Sequence, residues 1–129
     1  MATISKFVDL DIWQLARQQA NELWVIYNEG LFAKDFELKN QINAASGSVM
    51  DNIAEGFERS GNKEFINFLL IAKGSNGEVR SQLYRMTDRK YISMEKFDEL
   101  VLKNESLSKK LTAFIKYLKN SDKKGFRYD

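Results

Sequence analysis

At 129 residues, with 43% apolar, 29% charged and 12% aromatic side chains, the chain has the composition of a single globular domain able to bury about two thirds of its unfolded surface. Zero Cys and zero His exclude disulfides, Ser-His and Cys-His catalysis and the two best zinc ligands, while zero Pro fits a chain that is nearly all helix. The net charge of +2 is polarised, with five basic and nine acidic residues in 1–61 against fifteen and nine in 62–129, a distribution suited to docking of one half on the other or to attracting a polyanion.

Residues 11–29 form the first expected element. Ile12, Leu15, Ala16, Gln19, Leu23, Ile26 and Tyr27 recur at three- and four-residue steps and share one helical face. Asp9 or Asp11 is placed to cap its start, and Gly30 to take the left-handed position after its last turn. A second helix is expected after Asp35 as N-cap, with Leu38, Ile42, Ala45, Val49, Ile53 and Phe57 inward, stopping near Arg59. "SGN" at 60–62 supplies a turn, with Asn62 as a candidate cap for the next helix.

The third helix runs from about Lys63 to Lys90, roughly 40 Å at 1.5 Å per residue, on a seam of Phe65, Phe68, Leu69, Ala72, Val79, Leu83 and Met86. After "YIS", with Ser93 as cap, Phe97, Leu100, Val101, Asn104, Leu107, Leu111, Phe114, Ile115 and Leu118 repeat in near-heptad fashion to Asn120. The connections are too short to cross the length of a bundle, so an all-α, antiparallel up-down four-helix bundle is expected over 1–120, with a short basic and aromatic tail at 121–129. No apolar run reaches the roughly 18 residues of a membrane span, and "MATISKFVDLDIW" lacks the blocks of a secretory signal, so a cytoplasmic location without a membrane partner is expected.

The second helix carries a polar border. Gln41, Ser48, Asn52, Glu55 and Arg59 project into an arc of about 60°, and the third has a matching strip of Asn67, Ser75, Glu78, Gln82, Arg85 and Arg89. Hydrogen bonding between the two strips is one reading. A pocket in which Asn52, Glu55 and Glu78 serve a small ligand, a metal or acid chemistry is the other, but amides, hydroxyls and arginines dilute the carboxylates such a site needs. Gly47, Gly56, Gly74 and Gly77 each cost about 1 kcal/mol relative to Ala inside a helix, which close approach of a large neighbour or a ligand notch would offset.

Apolar residues also lie off the main seams. Ile66, Leu70 and Tyr84 on the third helix, and Trp13 and Trp24 on the first, form second ridges that fit either self-association or a broad core wrapping both ridges within one chain. Lys109, Lys116, Lys119 and Lys123 share one side of the fourth helix, and Arg80, Arg85, Arg89 and Lys90 lie on the third. They suit either an ordinary solvated face near a helix C-terminus or contact with RNA or DNA phosphates.

"FVDLDIWQLA", "LKNQINAASGSVMDNIAEGFERSGNKEFINFLLIAKGSNGEVRSQL" and "YIS" together resemble the four-helix-bundle family encoded by intervening sequences of bacterial large-subunit (23S) rRNA genes. The specific part is Gln41, Ser48, Asn52 to Gly56, Arg59, Glu64, Phe65, Phe68, Leu69, Ile71, Ala72, Gly74, Ser75 and Glu78. The resemblance implies a ring-like homopentamer with no established enzymatic activity and no cofactor. The chain is also similar to the accessory protein of diversity-generating retroelements, a basic pentamer associated with a reverse transcriptase and nucleic acid.

The expectation is therefore a non-enzymatic homo-oligomer, nucleic-acid-associated and without a small-molecule substrate. Trp13, Trp24, Ile66, Leu70 and Tyr84 would mediate subunit contact, and the Gln41, Ser48, Asn52, Glu55, Arg59, Ser75 and Glu78 cluster would fix helix register or the subunit join. The rival expectation is an enzyme or small-ligand protein using the Asn52, Glu55 and Glu78 region.

Overall fold

The computed structural model describes residues 4–122. Among them the chain forms four α-helices and no strand: α1 (Asp11–Ile26), α2 (Phe36–Glu58), α3 (Asn62–Asp88) and α4 (Met94–Asp122). Short 3-10 turns at Phe7–Asp9 and Gly30–Lys34 lead into α1 and join it to α2.

The buried side chains establish an up-down arrangement. One apolar cluster draws on the start of α1 (Ile12, Ala16), the end of α2 (Val49, Ile53, Phe57), the start of α3 (Phe65, Leu69, Ala72) and the end of α4 (Leu107, Leu111, Ile115, Leu118). The other takes the opposite ends: Leu23 and Ile26 of α1, Leu38, Ile42 and Ala45 of α2, Val79, Leu83 and Met86 of α3, and Phe97 and Leu100 of α4. Only antiparallel neighbours bring those halves together. α1 packs on α2 and α4, and α3 packs on α2 and α4, closing an antiparallel four-helix bundle. α1 has 16 residues against the 29 of α4, and Ile4, Phe7 and Leu10 ahead of it extend the cover over the first cluster.

Helix ends follow local chemistry, with three corrections to the expected caps. Asp35 caps α2, accepting from the Leu38 amide at 3.2 Å, and Ser93 Oγ accepts from the Lys96 amide at 3.0 Å ahead of α4. Neither Asp9 nor Asp11 caps α1, because Leu10 holds the cap position; Asp11, already inside the first turn, pairs with Lys110 at 2.9 Å. Gly30 has the left-handed φ of +54°, but α1 has ended at Ile26 and Gly30 instead opens the following 3-10 turn. Asn62 does not cap α3: Gly61, at φ +115°, occupies that position, and the buried Asn62 side chain donates to Leu118 O at 3.4 Å. Past the end of α3, Lys90 adopts φ +61° while the Tyr91 amide reaches back to Met86 O at 2.9 Å, which satisfies a terminal carbonyl as a glycine-ended helix does.

The helix glycines divide. A β-carbon on Gly56 would lie 2.7 Å from Phe68 Cβ and 2.8 Å from Phe65 Cδ1, so α2 and α3 touch there because that side chain is missing. Gly47 and Gly74 face open space and Gly77 has only Arg80 at 3.9 Å, so close approach does not account for these three.

Candidate functional site

The two polar strips meet along the α2/α3 seam as separate pairs. Ser48 and Ser75 share a hydroxyl–hydroxyl bond of 2.8 Å, and Arg85 Nη1 donates to Gln41 Oε1 at 2.7 Å. The Asn52 amide turns back on its own helix, donating to Ser48 O at 2.8 Å and to Ser48 Oγ at 3.0 Å. Glu55 pairs with Arg59 at 3.0 Å one turn on, and that guanidinium also lies over the Phe68 ring, 5.0 Å from its centroid. Asn52 and Glu55 are thus engaged locally, while Glu78 has no ion pair among the described residues. The expected Asn52, Glu55 and Glu78 constellation does not converge. Among the described residues no three acids gather at metal-holding distance.

Glu78 lines a different feature. Between α2 and α3 runs a groove of about 610 Å³ bordered by Gln41, Ala44, Ser48, Glu78, Gln82 and Arg85. Gln82 is only 6% exposed, and its carbonyl oxygen, closed off from solvent, has no hydrogen-bond partner among the described residues. Its polar-strip position was legible; its burial was not.

A polar layer that the sequence reading did not assemble lies between the two apolar clusters. Gln19 Nε2 donates to Asn76 Oδ1 at 3.0 Å, and Asn104 Nδ2 donates to Gln19 Oε1 at 2.7 Å. Asn76 also donates to Ser108 Oγ at 2.9 Å, and Arg80 Nη1 to Asn104 Oδ1 at 2.7 Å. Gln19 and Asn104 were expected on the inward seams without a role, and Asn76 was not expected inside. Amides at seam positions of successive helices were the available signal.

The cations named for nucleic acid are placed unequally. Arg80 is half-buried in the polar layer, Arg85 is bonded to Gln41, and Arg89 pairs with Asp35 at 2.7 Å. Lys90 is exposed in its left-handed turn. Lys109, Lys116 and Lys119 are exposed on α4, and Lys123 lies outside the described residues. Of the expected subunit-contact residues, Trp24, Leu70 and Tyr84 are 59%, 49% and 52% exposed. Trp13 is partly covered by its own chain, edge-on to Phe7 at 5.2 Å, and Ile66 packs against the first apolar cluster.

Two groups at the α1–α2 end titrate away from their ordinary ranges. The Asp35 carboxyl is held low chiefly by the Tyr91 hydroxyl donating to it at 2.7 Å, helped by the Leu38 amide and Arg89 against a desolvation penalty. Burial pushes the Tyr27 phenol up to about 12, only partly countered by Ser46, which lies beside it without completing a hydrogen bond.

No curated protein matches the chain. A solved protein of unknown function from the S23 ribosomal protein family of Bacteroides thetaiotaomicron VPI-5482 superposes with a TM-score of 0.75 at 23% identity, over 81% of this chain and 95% of that one. That likeness concerns the fold. The sequence matches the 23S rRNA-intervening sequence protein family over residues 8–113, and with most of its length inside that match the chain belongs to this family.

Proposed function

We propose that the chain works as a non-enzymatic, self-associating scaffold, five copies to a ring by its family resemblance, with a lysine-bearing face that meets nucleic acid. The observation that carries this reading is where the exposed apolar side chains lie. Trp24, Val25, Leu31, Phe36, Tyr84 and Met94 are all more than half exposed, and the antiparallel order of the helices puts them at one end of the bundle, whereas Ile71 and Leu102, also more than half exposed, lie along α3 and α4. Large apolar groups gathered at one end of a small domain support a protein contact there. On α4, Lys109, Lys116 and Lys119 are exposed cations, and copies of them arrayed on an oligomer would strengthen attraction to phosphate. The family's description, which refers to intervening sequences of 23S rRNA, agrees with an RNA-related setting.

Light scattering at micromolar concentration tests the assembly. The expected result is an oligomer that Trp24→Glu combined with Tyr84→Glu reduces to single chains of unchanged helicity, and a wild-type monomer would overturn it. Anisotropy titration with structured RNA at 50 and 200 mM salt tests the lysine face. Binding should weaken with salt, with a log–log slope of about −0.9 per phosphate contacted, and Lys109→Glu with Lys116→Glu should flatten it. Salt-independent binding, or none, would remove nucleic acid from the reading.

A further inference from the structure

We infer that the outward face of α4 is a pairing surface for a second copy of this chain, laid antiparallel against it in one register. The inference uses none of the exposed apolar end. The inward residues of α4, from Phe97 through Leu107 to Leu118, recur in near-heptad steps, and a second near-heptad stripe lies two positions ahead of each of them, on the opposite side of the helix. Its charged members are Glu95, Asp98 and Glu105, then Lys109, Lys116 and Lys119, with Leu102 and Thr112 in the remaining places, and all of them are exposed. The other charges of α4 between Glu95 and Lys119 are in use: Lys96 and Lys103 pair with Glu22 and with Glu99, and Lys110 pairs with Asp11. The six on the outward stripe have no ion pair among the described residues.

The stripe is acidic ahead of Leu107 and basic beyond it. When a second copy is turned end for end about a two-fold axis at Leu107, residues equally far from that point face each other. Glu105 then meets Lys109 of the second copy, Asp98 meets Lys116, Glu95 meets Lys119 and Leu102 meets Thr112, each contact occurring twice by symmetry. The register is unique. A slip of one heptad leaves only Asp98 on Lys109 or Glu105 on Lys116, and a parallel arrangement sets acid on acid and lysine on lysine. The helix dipole favours acids in the first turn and lysines in the last, which accounts for Glu95 and Lys119 but not for Glu105 and Lys109 in the middle of the helix. An exposed ion pair adds little by itself, so the array sets orientation and register, while Leu102, 70% exposed, supplies apolar contact to the Thr112 methyl. The pairing is accordingly weak, belonging to concentrations of about 100 µM or to copies already gathered by the Trp24 end. It draws on the lysines that the scaffold reading offers to phosphate, so a second copy's carboxylates and nucleic acid compete for them.

Sedimentation equilibrium of the full chain carrying Trp24→Glu and Tyr84→Glu, which takes the apolar end out of the measurement, tests the pairing separately from the scaffold reading. At about 100 µM chain the expected result is a dimer in 50 mM salt that separates in 1 M salt, where the Debye length falls to about 3 Å. Adding Asp98→Lys should raise the dissociation constant about tenfold or more, since each copy then sets a lysine on the other's Lys116. Asp98→Lys with Lys116→Glu should restore the dimer, because it exchanges the two ends of one pair. Asp98→Lys with Lys109→Glu carries the same net charge but leaves lysine on lysine and glutamate on glutamate, and should not. Asp98 and Lys116 are about 27 Å apart along one helix, so recovery reports contact between copies. All the α4 positions are exposed, and circular dichroism checks that helicity is unchanged. The same α4 substitutions in the chain with Trp24 and Tyr84 intact should alter the salt-dependent part of its mass in the same order, which keeps the test in force were the double glutamate chain to misfold. A monomer in 50 mM salt, a dimer indifferent to salt, or equal behaviour of the two exchange variants would overturn the proposal.

Discussion

Asn76 and Asn104 each donate their side-chain amide to the other's backbone carbonyl, at 2.9 and 3.1 Å, joining α3 to α4. With Gln19 from α1 they form a layer in which each amide serves more than one partner. Asn104→Ala would leave the buried Gln19 carbonyl without its partner and Arg80 with only its longer 3.4 Å bond to Ser108, and is expected to cost about 3 kcal/mol in urea unfolding. An Asn76→Ala and Asn104→Ala cycle should show a coupling of about 1 kcal/mol or more. Strict additivity would show that the layer is a set of independent bonds.

The absent side chain of Gly56 sets the approach of α2 to α3. Phe68 Cβ, 2.7 Å from where a new methyl would sit, is tied to the backbone and cannot swing clear. Gly56→Ala should therefore lose about 1–3 kcal/mol by overpacking, more than its helix propensity returns. Gly47→Ala meets open space and should gain about 0.5–1 kcal/mol in the isolated chain. Equal effects at the two positions in chemical denaturation would refute the packing account.

Acid and alkali should act at different residues of the same end. The Asp35 carboxyl is depressed in the folded chain, so its stabilising contribution is present above the ordinary carboxylate pKa and is lost as pH falls through the lower folded value. Asp35→Asn should flatten that acid limb while costing about 1 kcal/mol near neutrality through a weakened cap. The Tyr27 phenol, raised to about 12, gives the opposite sign: its contribution is complete below the ordinary phenol value of about 10 and disappears as pH climbs toward 12. Tyr27→Phe should remove the alkaline limb and, because the buried hydroxyl has no hydrogen-bond partner, leave stability at neutral pH equal or higher. Tm measured from pH 3 to 11 would contradict the assignment if both limbs persisted in these variants.

Helices were legible because their apolar spacing is regular and long. Leu38, Ile42, Ala45, Val49, Ile53 and Phe57 all lie buried on α2 as their steps required. Caps were less legible, since a cap depends on which of two neighbouring residues enters the helix: Asp11 missed that role by one position and Asn62 lost it to Gly61. The site was only half readable. Strip periodicity put Gln41 and Ser48 on one border and Ser75 and Arg85 on the facing one, but spacing alone could not tell which of them would pair, that Asn52 would bond to its own helix or that Gln82 would turn inward. Arg80 was counted as a free cation because its charge shows in the sequence, whereas its partners Asn104 and Ser108 come from 24 and 28 residues away.

Three of the four helices contribute to the layer of Gln19, Asn76 and Asn104, and α2 contributes nothing to it. Sliding α1, α3 or α4 by one turn, about 5.4 Å, would strand these amides among leucines, so those three are latched against axial slip. α2 has no such latch. Its axial position depends on the Ser48–Ser75 and Gln41–Arg85 bonds and on the fit of Gly56 beneath Phe68, which makes it the helix with the least resistance to travel along the bundle axis.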